Sequence, residues 1–209
     1  MNSITELFFE YPGLDLCKQD ILKSFEVLKA SYDVGGTVLL CGNGGSAADC
    51  EHIVGELMKG FKIKRSIPNE FVKKLTTIGG GHIAEYLQGA LPAISLISHS
   101  ALISAYANDV GYDFAFAQQV YGYGRVNDVL LAISTSGNAK NVLNACYVAK
   151  TIGMKVVGMS GETGGVLTGL CDVCICVPHT ETAKVQSLHL PIYHALCAAL
   201  EEVFFGEHS

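Results

Sequence analysis

Apolar residues in this chain fall into two recurring patterns. Short unbroken runs read as strands: Thr37–Cys41 (TVLLC), Ala93–Ile97, Asp128–Ser134 (DVLLAIS), Lys155–Ser160 (KVVGMS) and Asp172–Val177. Between them apolar positions recur three and four residues apart, the spacing that gives a helix one buried face. It predicts helices over Leu16–Ser31 (within an N-terminal helical region at 14–33), Ala47–Met58, Ser100–Ala107, Asn138–Ile152 and Thr182–Phe205. Gly35 and Gly36 stop the first of these. Strands alternating with helices call for right-handed crossovers and a parallel sheet. The strands are apolar at every position rather than every second one, as a sheet covered on both faces requires. The expected fold class is α/β: a three-layer α/β/α sandwich on a doubly wound, five-stranded parallel sheet, with residues 1–209 forming one domain.

One segment departs from the alternation. Lys62–Leu91 is long, mixed in polarity and contains Gly79, Gly80 and Gly81. A structureless stretch of that length is unusual, so two short helices are expected, around Asn69–Leu75 and His82–Leu87. The segment reads as an insert that acts as a lid or an interface element.

Composition sharpens this picture. Apolar residues make up 49% of the chain and charged residues only 16%, against roughly 25% charged in an ordinary soluble domain. A doubly covered sheet explains part of that excess, and surface hidden in an oligomer the rest. The net charge of −6 argues against a broad nucleic-acid footprint, which needs a basic stripe. The only basic run, Lys62, Lys64, Arg65, Lys73 and Lys74, reads as a solvated face. No apolar stretch approaches the roughly 20 residues that span a bilayer. Met1–Gly13 lacks a basic segment leading into an apolar one, which reads against a signal peptide. The eight cysteines (17, 41, 50, 146, 171, 174, 176 and 197) sit mostly in apolar company. Cys171 and Cys174 have CxxC spacing without the second pair of a zinc ribbon, and CDVCICV reads as a buried strand with Cys174 and Cys176 on one face. The expected compartment is the reducing cytoplasm.

Two loops carry candidate chemistry. Cys41-Gly42-Asn43-Gly44-Gly45-Ser46 follows a strand and opens a helix. Its glycines let a ligand approach the backbone, and the helix start adds free N–H groups and the positive end of its dipole. Ser134-Thr135-Ser136-Gly137-Asn138 also joins a strand to a helix, with three hydroxyls and a helix-capping asparagine. Each alone is a capped turn. Two of them at the carboxyl edge of one sheet point to a phosphate-bearing ligand. Neither is a nucleotide loop: no Gly-Lys-Ser/Thr follows, and GxGxxG is absent. On the first helix His52 and Glu56 are four apart and share a face. Ten residues separate Ser46 from Glu56, about 15 Å along a helix and the scale of a sugar chain. The closing segment holds Gln186, His189 and His194. Gln186 and His194 differ by about 80° and 12 Å on an ideal helix, so aiming both at one atom needs a kink at Pro191 or another subunit. His189 reads as a packed or surface histidine.

Together these residues resemble the sugar isomerase (SIS) family, and within it the phosphoheptose isomerases. The resemblance rests on CGNGGSAAD (41–49), His52-x-x-x-Glu56, Asn108-Asp109-x-Gly111-Tyr112, STSGN (134–138) and Thr182-x-x-x-Gln186…His194. It implies a cytoplasmic homotetramer with sites at subunit interfaces, converting sedoheptulose 7-phosphate to a heptose 7-phosphate through an enediolate. Glu56 matches the base and His194 its acid partner. Ser46, Ser134, Thr135 and Ser136 match phosphate-holding positions. Asn43, Asp109 and Gln186 match substrate contacts, joined by Gly44, Gly45 and Asn138 of the two loops. Some members hold zinc through residues matching His52, Glu56, Gln186 and His194. Lys59-Gly60-Phe61 stands where many relatives have Gly-Arg-aromatic, Ala139 replaces a serine and Ser187 a glutamate. Two other readings stand beside the first. One is isomerisation of a different phosphosugar. The other is a non-catalytic SIS protein that binds a phosphosugar or a replication initiator.

Overall fold

The computed structural model describes residues 2–206. In chain order its elements are α1 (Asn2–Glu10), α2 (Lys18–Asp33), β1 (Val38–Cys41), α3 (Gly45–Met58), α4 (Asn69–Thr77), β2 (Ala93–Ser95) and α5 (Ser100–Asp109). They continue through α6 (Ala115–Tyr123), β3 (Val129–Ile133), α7 (Lys140–Ile152), β4 (Lys155–Ser160), β5 (Val173–Cys176) and α8 (Thr182–Phe205). The strands form one all-parallel sheet in the order β2-β1-β3-β4-β5. Leu39 lies opposite Ile94 on one side and Leu130 on the other, and Leu130 opposite Val156.

The apolar runs are explained by the layers. Val38, Leu40, Leu131, Val157 and Ile175 face a core shared with α1, α2, α3 and α8. The alternate residues Leu39, Cys41, Leu130, Val156 and Cys174 face a second core, closed by Phe116 and Val120 of α6 and Val142, Ala145 and Cys146 of α7. Burying each such Leu or Val stabilises the fold by roughly 1.5–3 kcal/mol. The chain leaves β1 for β2 on one flank and returns to place β3 on the other. The loops after β1 and β3 therefore part at the switch point of the sheet, where open α/β sheets bind ligands.

Several details differ from the sequence reading. Residues Pro12–Cys17 form a 3₁₀ turn, and α2 begins only at Lys18. Helix α1 was not anticipated: nine residues with Ser3, Ile4 and Leu7 buried give barely two turns of pattern. Helix α6 was missed because AFAQQVYGY is apolar nearly all round and shows no stripe. The insert holds α4 and a 3₁₀ turn at Gly81–Tyr86, near the two expected positions, and buries no residue in either. The basic run is not wholly solvated: Arg65 is buried, with its Nε 2.8 Å from Oε1 of the equally buried Glu201. All eight cysteines carry free thiols, and the Cys174 and Cys176 sulfurs lie 3.8 Å apart. Among the described residues no helix is long and apolar enough to cross a membrane.

Candidate active site

Loops 42–44 and 134–139 open a cleft of about 360 Å³ between the starts of α3 and α7. Asn43, Gly44, Gly45, Ser46, Ser134, Thr135, Ser136, Thr182 and Gln186 line it. A Cβ on Gly45 would collide with the Gln186 carboxamide. Glycine there lets α8 approach the first turn of α3 and brings Gln186 into the cleft. Gly137 has φ +66°, and a Cβ on it would strike the Gly164 carbonyl. That close approach closes the second loop against 161–167, with Gly161 N–H donating to Thr135 O and Leu167 N–H to Gly137 O, each at 3.0 Å. No lysine or arginine lines the cleft. An anion held there would be met by hydroxyls, loop amides and two helix starts.

The structure brings most of the expected binding residues to this cleft, with two exceptions. Asn138 does not cap α7, whose N-cap is Ala139. Its side chain is turned into the loop, donating to Ser136 O at 2.8 Å and accepting from Val166 N–H at 3.1 Å. Asp109 sits exposed at the end of α5 and accepts from its neighbour Asn108 at 2.9 Å. Two residues that the sequence reading did not assign hold Asn43 in place. Asn141 exchanges hydrogen bonds with it at 2.9 and 2.8 Å, and Tyr112 Oη donates to its Oδ1 at 3.1 Å. Tyr112 belongs to one of the quoted motifs. Asn141 follows Asn138 by three residues, and a second asparagine so soon after the loop was the available signal; in the structure it is buried.

The acid–base groups gather farther along α3. His52 Nε2 is 3.3 Å from Glu56 Oε1 and 3.4 Å from His194 Nε2. The Glu56 side chain is 12% exposed, while that of His52 is 43% exposed. Glu56 Oε2 is buried without a hydrogen-bond partner, with the Lys59 ammonium 3.6 Å away. Burial lowers the His194 pKa, with the charges of His52 and Lys62 adding to it and Glu56 opposing it. The neutral imidazole is thereby favoured. Behind His52, Tyr193 Oη lies 3.0 Å from Nδ1 and donates to Asp49 Oδ1 at 3.3 Å. Burial pushes the Asp49 carboxyl up, while the Tyr193 hydroxyl and His52 pull it back. Of the two readings of His189, packed or surface, the structure has the first: it is fully buried beside Ser160 O and its pKa is pushed down to about 4, mainly by desolvation.

Gln186 and His194 diverge along α8, which runs unbroken through Pro191. Gln186 enters the hydroxyl-lined cleft. His194 borders a separate cleft of about 270 Å³ between α1 and α8. As zinc ligands the four expected residues are therefore only partly assembled. The two contacts of His52 Nε2 match the edge of a tetrahedron with bonds of about 2.1 Å, and the donor types suit zinc. Gln186 stands apart from them, about 12 Å along α8 from His194. Among the described residues no group of three or more His, Cys, Asp and Glu closes into a metal cage.

The end of α3 that carries Glu56 is pinned by a pair absent from the sequence reading. Arg65 Nη2 donates to Glu56 O at 2.8 Å and Nη1 to Leu57 O at 2.6 Å. Glu201 of α8 receives Arg65 and the backbone N–H groups of Phe61, Lys62 and Ile63. Free carbonyls at a helix end are thus met by a buried guanidinium rather than by water.

Known proteins resemble this chain over most of its length. A family model described as the SIS domain matches residues 14–89 and 78–161. A phosphoheptose isomerase of Rhodospirillum rubrum is 38% identical over 186 residues, covering 89% of this chain and 87% of that protein. One from Campylobacter jejuni is also 38% identical, covering 91% and 90%. The solved phosphoheptose isomerase GmhA of Neisseria gonorrhoeae superposes with a TM-score of 0.75 at 29% identity, over 95% of this chain and 94% of its own. That of Francisella tularensis gives 0.73 at 28%, over 96% and 94%. By the family model and by these relatives, this chain belongs to the SIS domain family and, within it, to the phosphoheptose isomerases.

Proposed function

We propose that this protein interconverts a phosphorylated ketose and its aldose, sedoheptulose 7-phosphate and a heptose 7-phosphate, through an enediolate. One observation carries the reading. A largely buried carboxylate, Glu56, one oxygen of which makes no hydrogen bond and has only the Lys59 ammonium near it, and a half-buried imidazole, His194, meet at His52. They do so on the helix whose first turn borders the hydroxyl-lined cleft.

The phosphate docks among Ser46, Ser134, Thr135 and Ser136, and Gln186 faces it across Gly45. Binding energy from this unreactive end orients the reacting end. Glu56 removes the C1 proton and an enediolate forms. His194, neutral, passes a proton from one oxygen to the other, and reprotonation at C2 completes the aldose. Incubating the purified protein with sedoheptulose 7-phosphate and following the products by NMR tests the proposal. Aldose appearing at equilibrium is expected. Saturable binding without conversion would leave a phosphosugar-binding protein, and conversion of a different phosphosugar alone would move the substrate assignment.

We further propose that His52, Glu56 and His194 take one zinc ion, with Gln186 joining them across a subunit interface. Their nitrogen and oxygen donors and the spacing at His52 support this. Bound zinc would polarise the carbonyl. Metal analysis should find about one zinc per chain, falling several-fold in His52→Ala. A metal content unchanged by that substitution would place any zinc elsewhere.

The assembly we propose is a cytoplasmic homotetramer whose sites are completed across subunits. Helix α5 buries none of its residues, and Leu102, Val110, Tyr112, Phe114, Tyr121 and Tyr123 are exposed nearby. The divergence of Gln186 and His194 within one chain supports the same reading. Light scattering should return about four chain masses. A monomer that turns over substrate would overturn it.

A further inference from the structure

Tyr193 is a large side chain only 2% exposed, so its hydroxyl needs partners inside the protein. It has two. Asp49 Oδ1 lies at 3.3 Å and His52 Nδ1 at 3.0 Å. The ring also stands edge-on to both imidazoles, 5.5 Å from His52 and 5.0 Å from His194. A phenol has one proton to give, whereas an ionised carboxylate oxygen has only lone pairs. The Tyr193 proton therefore goes to Asp49. The phenol oxygen is left as an acceptor, and the proton of neutral His52 belongs on Nδ1.

We propose that Tyr193 and Asp49 are positioning residues that fix the tautomer of His52, holding its proton on Nδ1 and its lone pair on Nε2. The consequence falls on Glu56. His52 Nε2 is 3.3 Å from Glu56 Oε1. With a proton on Nε2, His52 would donate to that oxygen and occupy a lone pair that Glu56 needs for the substrate proton. With a lone pair there, Glu56 Oε1 receives no proton from His52. His52 Nε2 becomes an acceptor for the His194 N–H at 3.4 Å, or a ligand for a cation. Two lone pairs then face each other at 3.3 Å, an arrangement that becomes favourable once a cation or a migrating proton stands between them. Holding the ring in that state needs an outer partner on Nδ1, the role a carboxylate or carbonyl commonly fills behind a functional histidine. Here a tyrosine backed by an aspartate fills it.

The kinetic consequence rests on the roles proposed above for Glu56 and His194, but the tautomer does not. The test uses ¹⁵N-labelled full-length protein, treated with a chelator so that no metal decides the outcome, at mildly alkaline pH. In the wild type the His52 signals should show a protonated Nδ1 and an unprotonated Nε2. Tyr193→Phe keeps the ring and its packing and should move the proton toward Nε2. Asp49→Ala frees the Tyr193 hydroxyl to donate to Nδ1 and should also give the Nε2–H form. Tyr193→Phe should lower kcat about tenfold with KM changed less than about twofold. A wild-type proton on Nε2, or variants that keep the wild-type signals, would overturn the inference. Expected tautomers in a protein that converts no phosphosugar would uphold it and remove the isomerase reading instead.

Discussion

Replacing Glu56 with glutamine lowers turnover of sedoheptulose 7-phosphate by about 10³-fold, within the range a positioned general base contributes, while the phosphosugar still binds. Glutamine has nearly the shape of glutamate, so α3 and its contacts survive. What is lost is the carboxylate charge that lets the side chain take the C1 proton, since an amide oxygen keeps its lone pairs but is far too weak a base. The phosphate-holding groups Ser46 and Ser134–Ser136 line a cleft that does not include Glu56, so affinity is largely retained. Turnover by NMR and binding by calorimetry on the same preparation separate the two effects. A loss of kcat with a nearly unchanged dissociation constant is the signature of a group acting in the transition state. Undiminished turnover would exclude Glu56 as the base. Loss of binding in parallel with turnover would make it a substrate anchor instead.

The second large effect is on stability. Glu201→Gln should cost about 3–5 kcal/mol, the usual penalty for leaving one member of a buried ion pair uncompensated. In a chain of this length each kcal/mol lowers Tm by roughly 2–4 °C. Glu201 accepts from Arg65 and from three consecutive backbone N–H groups, and both charged side chains are fully buried. Glutamine cannot serve that many donors, and its own amide would face them. Burial alone would raise the Glu201 pKa, but the Phe61 and Lys62 amides and Arg65 outweigh it and hold the carboxyl below its ordinary value. A depressed carboxyl contributes stability at pH above its unfolded value and loses it as the pH falls through the folded one. The wild-type advantage over Glu201→Gln should therefore shrink in acid. The exposed pair Lys150–Asp172 is the control, since Lys150→Ala should cost under about 1 kcal/mol. Chemical denaturation of the three proteins decides it. A cost for Glu201→Gln as small as that of the control would mean that the pair does not anchor α3. Because Arg65 also holds the Glu56 carbonyl, turnover should fall with stability in Glu201→Gln.

Much of this protein is legible along the chain. The runs at 38–41, 129–133, 155–160 and 173–176 announce strands buried on both faces, because a sheet between two helical layers leaves few positions for a polar side chain. The glycine and hydroxyl loops announce themselves because backbone conformation and anion binding act over a few residues. The four-residue spacing of His52 and Glu56 does so because a helix brings i and i+4 together. Helix α6 escaped because nine mostly apolar residues show no clear period, and α1 because it is too short to repeat one.

What the order of residues determined was therefore local: the strands, most helices, both loops and the types of chemical group they carry. Only the tertiary structure decided which groups meet. Arg65 looked like one more solvated cation until α8 supplied Glu201. Tyr193 carried no signal along the chain, and took on meaning when His52 and Asp49 came to lie against its hydroxyl. Asn138 looked like a helix cap until residues 164–166 closed over it. Each of these pairings joins residues between 28 and 144 positions apart. Their energies depend on burial and on distances of about 3 Å, which no periodicity along the chain encodes.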